Sequence, residues 1–411
     1  MSNTRVNPSL ALPSERRIVA AVWPALLASA LGLLPFTLLS TFLIPIAQWT
    51  GAGVAEIGSL RGLAGIGAVI VGVVLAPLIG RILPGRVAAA ALVLMGLAAI
   101  IGTFSGTWAL AIFCLATGMS NALLYPALST AAADRFGEGP AAGRAATLVM
   151  TAQTLASTAG APLLVLPAMW WSWQGNLIAI AIAAFALAPA LLRFGRQSTQ
   201  LGSPKPPLKY VAAFKALSRI RGARALLLVS FGRAGAFMGH LAFLAPLYAE
   251  KFHLSTGWFA FVWSLSGGSF FLGHLLAGRM LNTEGTSPRP RMWMVACLGT
   301  SLGALLCVYF SPVLPLALAG TAVLSASHAV VAAAVTTLLV QRCSDVRGTA
   351  LSLNAAGMSL GLFLGTAACG AALAAAGYPA ACAVLVGFTV LALIAALNIG
   401  SSPSEPAGQT S

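Results

Sequence analysis

Within the run "SFGRAGAFMGHLAFLAP", Ser230 to Pro246, two side chains are able to do chemistry in otherwise apolar surroundings. Arg233 carries a permanent positive charge and five donors, and His240 titrates near neutral pH. They lie almost two helical turns apart, so on a helix they share a face, separated by about 10.5 Å along its axis. An arginine at that depth binds an anionic or polar ligand, or helix carbonyls. A histidine above it is able to carry a proton.

Other polar groups interrupt apolar segments elsewhere. Arg61 lies about 10 Å into its segment, where it snorkels outward or pairs with Glu56. Asn121 and Tyr125 are spaced i, i+4 on one face, and Gln153 and Asn354 stand at interior depth. Each lines a cavity or hydrogen-bonds a neighbouring helix. His274 and His328 read as packing residues, and the histidines show no metal-ligand spacing. Cys114, Cys297, Cys307, Cys343, Cys369 and Cys382 are scattered and read as small buried hydrophobes. No Asp or Glu falls near the middle of an apolar segment. A proton carrier is therefore His240, or Glu56 if it lies deep, or there is no proton coupling. No Ser/His/Asp or metal constellation points to an enzyme. The absence of Gly-x-x-x-x-Gly-Lys-Ser/Thr excludes a P-loop ATPase. Neither a metal nor a cofactor is expected.

The elements that position these groups are membrane-spanning helices. Hydrophobic residues make up 59% of the 411 residues and charged residues 8%, against about 25% charged in an ordinary soluble domain. The mean hydropathy is +0.92. The apolar runs are long and continuous, which favours helices over a membrane barrel. Twelve spans are expected, at 18–47, 54–79, 86–104, 107–133, 143–168, 174–194, 224–249, 256–280, 291–310, 313–340, 348–375 and 379–400. They form an N-terminal bundle over 18–194 and a C-terminal bundle over 224–400, with tails at 1–17 and 401–411. The linker at 195–223 is polar, basic and proline-bearing, and its second part reads as a short interfacial helix. Arg16 and Arg17 flank the first span; they are not read as part of a cleaved leader.

The net charge of +15 is a topology signal, not a nucleic-acid footprint. With both termini on one side, 20 of the 23 lysines and arginines fall on that face. Positive charge marks the cytoplasmic side, so both termini are expected there, in a multi-pass protein of the cytoplasmic (inner) membrane. Trp49, Trp108, Trp258 and the stretch "MWWSWQGN" mark the opposite ends of the spans.

An internal repeat completes the pattern. Gly80-Arg81 and Gly278-Arg279 each end a second span of a half, about 200 residues apart. Arg135, Glu138 and Arg144 are echoed by Arg342, Asp345 and Arg347, and "LIPIAQ" by "LAPLYA". Two parallel six-span repeats with a site between them are a secondary-transporter architecture.

At these residues the chain resembles the major facilitator superfamily over nearly its whole length. The family's loop between spans 2 and 3 follows Gly-x-x-x-Asp-Arg-x-Gly-Arg. Here "PLIGRILPGR" keeps Gly80, Arg81, Gly85 and Arg86 but lacks the Asp. The resemblance implies a cytoplasmic gate, in which Asp134 near Arg135 and Arg144 partly replaces the missing acid. Span 5, with Gly160-Ala161-Pro162, resembles the drug and sugar efflux branch without its following glycine pair. In that branch span 4 often carries an Arg before a Gln-Gly, and "FCLATGMSNALLYP" has neither.

The resemblance implies an all-α fold of twelve transmembrane helices in two six-helix pseudo-repeats. It implies alternating access by a monomer in the lipid bilayer and antiport export of a small organic compound, with protons as a candidate coupling ion. The alternative is an importer or exchanger of a small organic anion. The expected substrate-binding residues are Arg233, His240, Arg61, Asn121, Tyr125, Gln153 and Asn354.

Overall fold

In a computed structural model the described residues are 14–75, 82–137, 140–195, 215, 217, 219–281, 290–343 and 346–399. All regular structure among them is helical. A helix satisfies its backbone groups internally, which hydrocarbon demands. Span 1 runs through Glu15–Thr41 and, past a bend at Phe42, Leu43–Thr50. Span 2 comprises Val54–Leu60, Leu63–Ile70 and a π-helical turn, Val71–Leu75. Pro84–Ile101 and Thr107–Asp134 are spans 3 and 4. Pro140–Gly195 is spans 5 and 6, because the backbone leaves the helical region at Trp171 and Ser172. Ala223–Phe252, Thr256–Leu281, Pro290–Phe310 and Leu314–Arg342 are spans 7 to 10. Arg347–Leu397 is spans 11 and 12, broken at Ala376 and Gly377.

Among the described residues, nine helices are long and apolar enough to cross a membrane, or ten with the bent pair at 43–70. Two of them are double spans, which makes the count consistent with twelve. The two breaks occupy matching places in the two sequence repeats. Ser172 and Gly377 both adopt positive φ there, at 61° and 72°. At the first break, Trp171 Nε1 donates to Asn176 Oδ1 at 3.0 Å, and Asn176 Nδ2 donates to the Leu164 carbonyl at 2.8 Å.

Consecutive spans alternate in direction. Residues 15, 134, 140, 195, 223, 281, 290, 342 and 347 therefore fall at one end, called here the basic end. Most of the linker at 195–223 lies outside the described residues, as do Gly80 and Arg81. Span 2 departs from the single helix that the sequence suggested. It turns at Arg61 and Gly62, where glycines at 58, 62, 65 and 67 weaken helix propensity but admit close neighbours. A side-chain carbon on Gly118 would collide with the Ala64 backbone of span 2, and one on Gly67 with the Leu115 carbonyl of span 4.

The same absence of side chains brings span 2 against span 11. Gly65 lies on the Ser359 carbonyl, Gly62 on Thr366, and Gly370 on the Ser59 hydroxyl. Spans 5 and 8 meet likewise: Gly267 lies on Ser157, and Ser264 Oγ donates to the Thr158 carbonyl at 2.7 Å. These contacts join the N-terminal spans to the C-terminal ones in the half of the bundle away from the basic end.

Cysteines at Ser59→Cys and Gly370→Cys fall within disulfide reach. In a background lacking the native cysteines, oxidation is expected to keep the two halves together on a non-reducing gel after proteolysis in the 195–223 linker. Separation of the halves would show that spans 2 and 11 do not meet there.

Candidate functional site

A cavity of about 410 Å³ lies on the basic-end side of those contacts. Spans 1 and 5 form one wall, through Leu33, Phe36, Gln153 and Ser157 among others. Spans 7, 8, 10 and 11 form the other, with Arg233, Trp263, His274, Thr336, Asn354 and Met358. Most of the lining is apolar, and among the described residues Arg233 and His274 are its ionisable groups. Small-molecule sites share this make-up: an apolar concavity with a few convergent polar groups.

Span 7 delivers Arg233. Its Gly232 and Gly235 lie against Phe388 of span 12, and Gly235 also contacts Gly365 of span 11, so the helix is held tightly at this level. Arg233 is 2% exposed. Its Nη2 lies 3.9 Å from the Met358 sulfur, a weak acceptor. Its Nε and Nη1 have no hydrogen-bond partner. Among the described residues, no carboxylate lines the cavity. A buried guanidinium without an anion costs several kcal/mol by desolvation, on the order of 2.5–3.5 kcal/mol even on lenient membrane scales. The wall therefore presents an uncompensated positive charge.

Of the seven residues expected to bind substrate, Arg233, Gln153 and Asn354 line this cavity. His240 does not. It shares a helix face with Arg233, but the span 7 residues that line the cavity up to Leu241 lie to one side of it, and the 1% exposed His240 ring turns instead toward Tyr309, 5.9 Å away. Arg61 neither snorkels nor pairs with Glu56. It is 2% exposed, with its guanidinium carbon 3.2 Å from the centre of the Phe36 ring. Phe36 thus separates Arg61 from the cavity. Asn121 and Tyr125 do share a face, turned toward Gly32 of span 1, where a Cβ would come within 3.1 Å and 2.9 Å of their oxygens. The Tyr125 hydroxyl lies beside Gln153 without closing a hydrogen bond of good geometry. These two residues form a polar layer behind the cavity wall.

His274 is the ionisable group that sequence reading had treated as packing. It stands on the wall, edge-on to Phe270 at 4.9 Å. Phe270 stacks on Phe237 at 5.3 Å, and Phe237 on His328 at 4.9 Å. His328 is fully buried within an aromatic stack, and neither of its ring nitrogens has a hydrogen-bond partner.

Of the gate motif, Gly85 packs on Gly195 and the Leu191 carbonyl of span 6, and Arg86 is exposed. Arg144 pairs with Glu15 at 3.8 Å, an exposed ion pair that contributes little stability. Arg135 lies over the Phe194 ring at 5.1 Å. Asp134 is half-buried at the end of span 4.

Removing the charge while keeping the stem tests the energetics. Arg233→Met is expected to stabilise the protein by on the order of 1–4 kcal/mol, read as a higher melting temperature in detergent. A melting temperature several degrees lower would mean that the guanidinium has a structural partner.

Comparison with known proteins agrees with this architecture. A curated relative, the chloramphenicol resistance protein of Streptomyces lividans, is 29% identical over 244 residues. That alignment covers 58% of this chain and 61% of the relative's length. Among solved structures, a peptide transporter in complex with alafosfalin superposes with TM-score 0.71 at 12% identity, covering 94% of this chain and 99% of that one. The human organic anion transporter MFSD10 (TETRAN) gives 0.67 at 19% identity, covering 94% and 100%. A bacterial homologue of the human lysosomal transporter Spinster, inward-facing and unoccupied, gives 0.66 at 14% identity, covering 94% and 95%. These likenesses are of fold. A sequence profile described as Major Facilitator Superfamily matches residues 25–292, and the chain belongs to that family of membrane transporters.

Proposed function

We propose that this transporter exports a small, largely apolar organic compound by antiport, and that the compound presents an anionic or strongly accepting group to Arg233. The observation that carries the reading is the uncompensated Arg233 on the wall of an apolar cavity of about 410 Å³ between the two sets of spans. Such a cavity suits a compound of drug or metabolite size with one polar pole. The name of the chloramphenicol resistance relative supports the outward direction.

The mechanism in this proposal is alternating access. The closed contacts of spans 2 with 11 and 5 with 8 lie on one side of the cavity. The basic flanks of the spans support a cytoplasmic position for the other side. The arrangement then corresponds to a state ready to receive a compound from inside. Substrate binding neutralises Arg233, and the glycine-faced helices separate at the far end while the basic end closes. In the antiport cycle His274 is the wall group suited to receive the exchanged proton.

A second reading, import or exchange of a small organic anion, is favoured by the same positive wall and the lack of any lining acid. The two readings differ in flux, not in binding.

The test uses protein reconstituted in vesicles and a panel of radiolabelled organic anions, cations and neutral lipophilic drugs. Outward-directed movement of an anion or a polar neutral compound, reduced at least tenfold by Arg233→Ala, is expected. Transport of cations alone, unaffected by Arg233→Ala, would remove Arg233 from the substrate site.

A further inference from the structure

Two donors on different spans aim at one point of the cavity wall. Arg233 Nη2, from span 7, lies 3.9 Å from the Met358 sulfur, and Asn354 Nδ2, from span 11, lies 3.6 Å from it. Asn354 and Met358 are one helical turn apart, and all three residues line the cavity. A thioether only accepts, and weakly, so the amide nitrogen, not its oxygen, faces the sulfur. The sulfur satisfies neither donor well. The other guanidinium nitrogens, Nε and Nη1, and the Asn354 oxygen lack partners altogether. A strong cation and an amide thus converge on a soft, three-rotor side chain of the kind that fills gaps and moves easily.

We propose that the Met358 sulfur holds the place of an oxyanion, so that Arg233 and Asn354 form the anion subsite of the cavity. This rests on the reading that the cavity receives the transported compound. On binding, Met358 swings aside onto the apolar wall. One oxygen of a carboxylate then accepts from the Arg233 guanidinium, and the other from the Asn354 amide. Charge-assisted pairs of this kind are about twice as strong as neutral ones. The ligand class is an organic carboxylate, or an acid of similar shape, with an apolar body that rests on Phe36, Phe237 and Trp263. With no lining acid among the described residues, the anion meets no rival there for these donors. Met358 keeps water and small inorganic anions from settling there while the site is empty of substrate.

The decisive experiment needs no substrate. The full chain is purified in detergent at pH 8 with Met358→Glu or Met358→Gln. The glutamate supplies a carboxylate from within, whereas the glutamine has the same shape without the charge. Met358→Glu is expected to melt several degrees above Met358→Gln, and to lose that advantage when combined with Arg233→Met. A Glu variant that melts at or below the Gln variant overturns the subsite.

A second measurement uses benzoate and its neutral counterpart benzamide. Benzoate is expected to raise the melting temperature of the parent where benzamide does not. Met358→Leu should bind benzoate several-fold more tightly, Asn354→Leu about tenfold more weakly, and Met358→Glu not at all. Benzoate binding that needs Arg233 but ignores both Asn354 and Met358 overturns the subsite and leaves the transport reading standing. A Met358→Glu variant stabilised through Arg233, in a protein that moves no organic anion in vesicles, overturns the transport reading instead.

Discussion

Hydrocarbon offers no hydrogen bonds, and that constraint shapes every part of this molecule. The backbone is wound into helices, and many hydroxyl side chains follow the same rule. Thr37, Ser40, Ser59, Thr366 and Thr389 each donate to a carbonyl one turn back in their own helix. Others bridge neighbours: Ser29 to the Val149 carbonyl, Ser120 to the Ala91 carbonyl, Tyr248 with Thr321. Association between the helices then depends on close packing, because lipid tails are as apolar as leucine. Glycines supply it at Gly65, Gly118, Gly235 and Gly365, where backbones touch.

Against that background the unsatisfied groups carry the information. Arg61 and Arg233 are both buried arginines with donors left over, yet their settings differ. Arg61 lies on the face of Phe36, a contact of about 2 kcal/mol or more when desolvated. An aromatic face partly replaces the missing anion, and the ring seals the charge away from the cavity. Arg233 has only a thioether, and it borders open space. The first is a cation accommodated by its surroundings; the second is a cation with no strong partner in the fold, which is what the proposed anion subsite rests on.

The sequence conveyed depth well and direction poorly. Span lengths, the basic flanks and the repeat follow from hydropathy and charge, which are read along the chain. So does the level of Arg233, since 1.5 Å per residue places it near mid-membrane. Which way a side chain points depends on helix tilt and on how far the cavity extends, and neither is written locally. His240 and Arg233 share a face, but the span 7 lining that runs on to Leu241 passes to one side of His240, whose ring turns toward Tyr309. His274, on a helix with no other ionisable residue between Trp258 and Ala277, carried no signal separating a wall position from a packing one. Met358 was invisible for a different reason: a methionine in an apolar span looks like any other core residue. The break at Arg61 was legible only as an excess of glycine.

The closure and the proposed anion subsite meet on span 11, and this gives the proposed transport cycle its physical logic. Ser359 and Phe363 of that span form its seam with Gly65 of span 2. Asn354 and Met358, less than two turns away, face the cavity. Span 7 joins both, since Gly361 lies on the Phe231 carbonyl and Arg233 reaches toward Met358. A ligand that draws Arg233 and Asn354 onto the same pair of oxygens tightens spans 7 and 11 on each other. A rigid helix cannot shift at one level without shifting at the next, so that tightening is transmitted to the glycine seam. The proposed coupling needs no long relay, because one helix carries both the proposed anion subsite and the contact that alternating access would have to open.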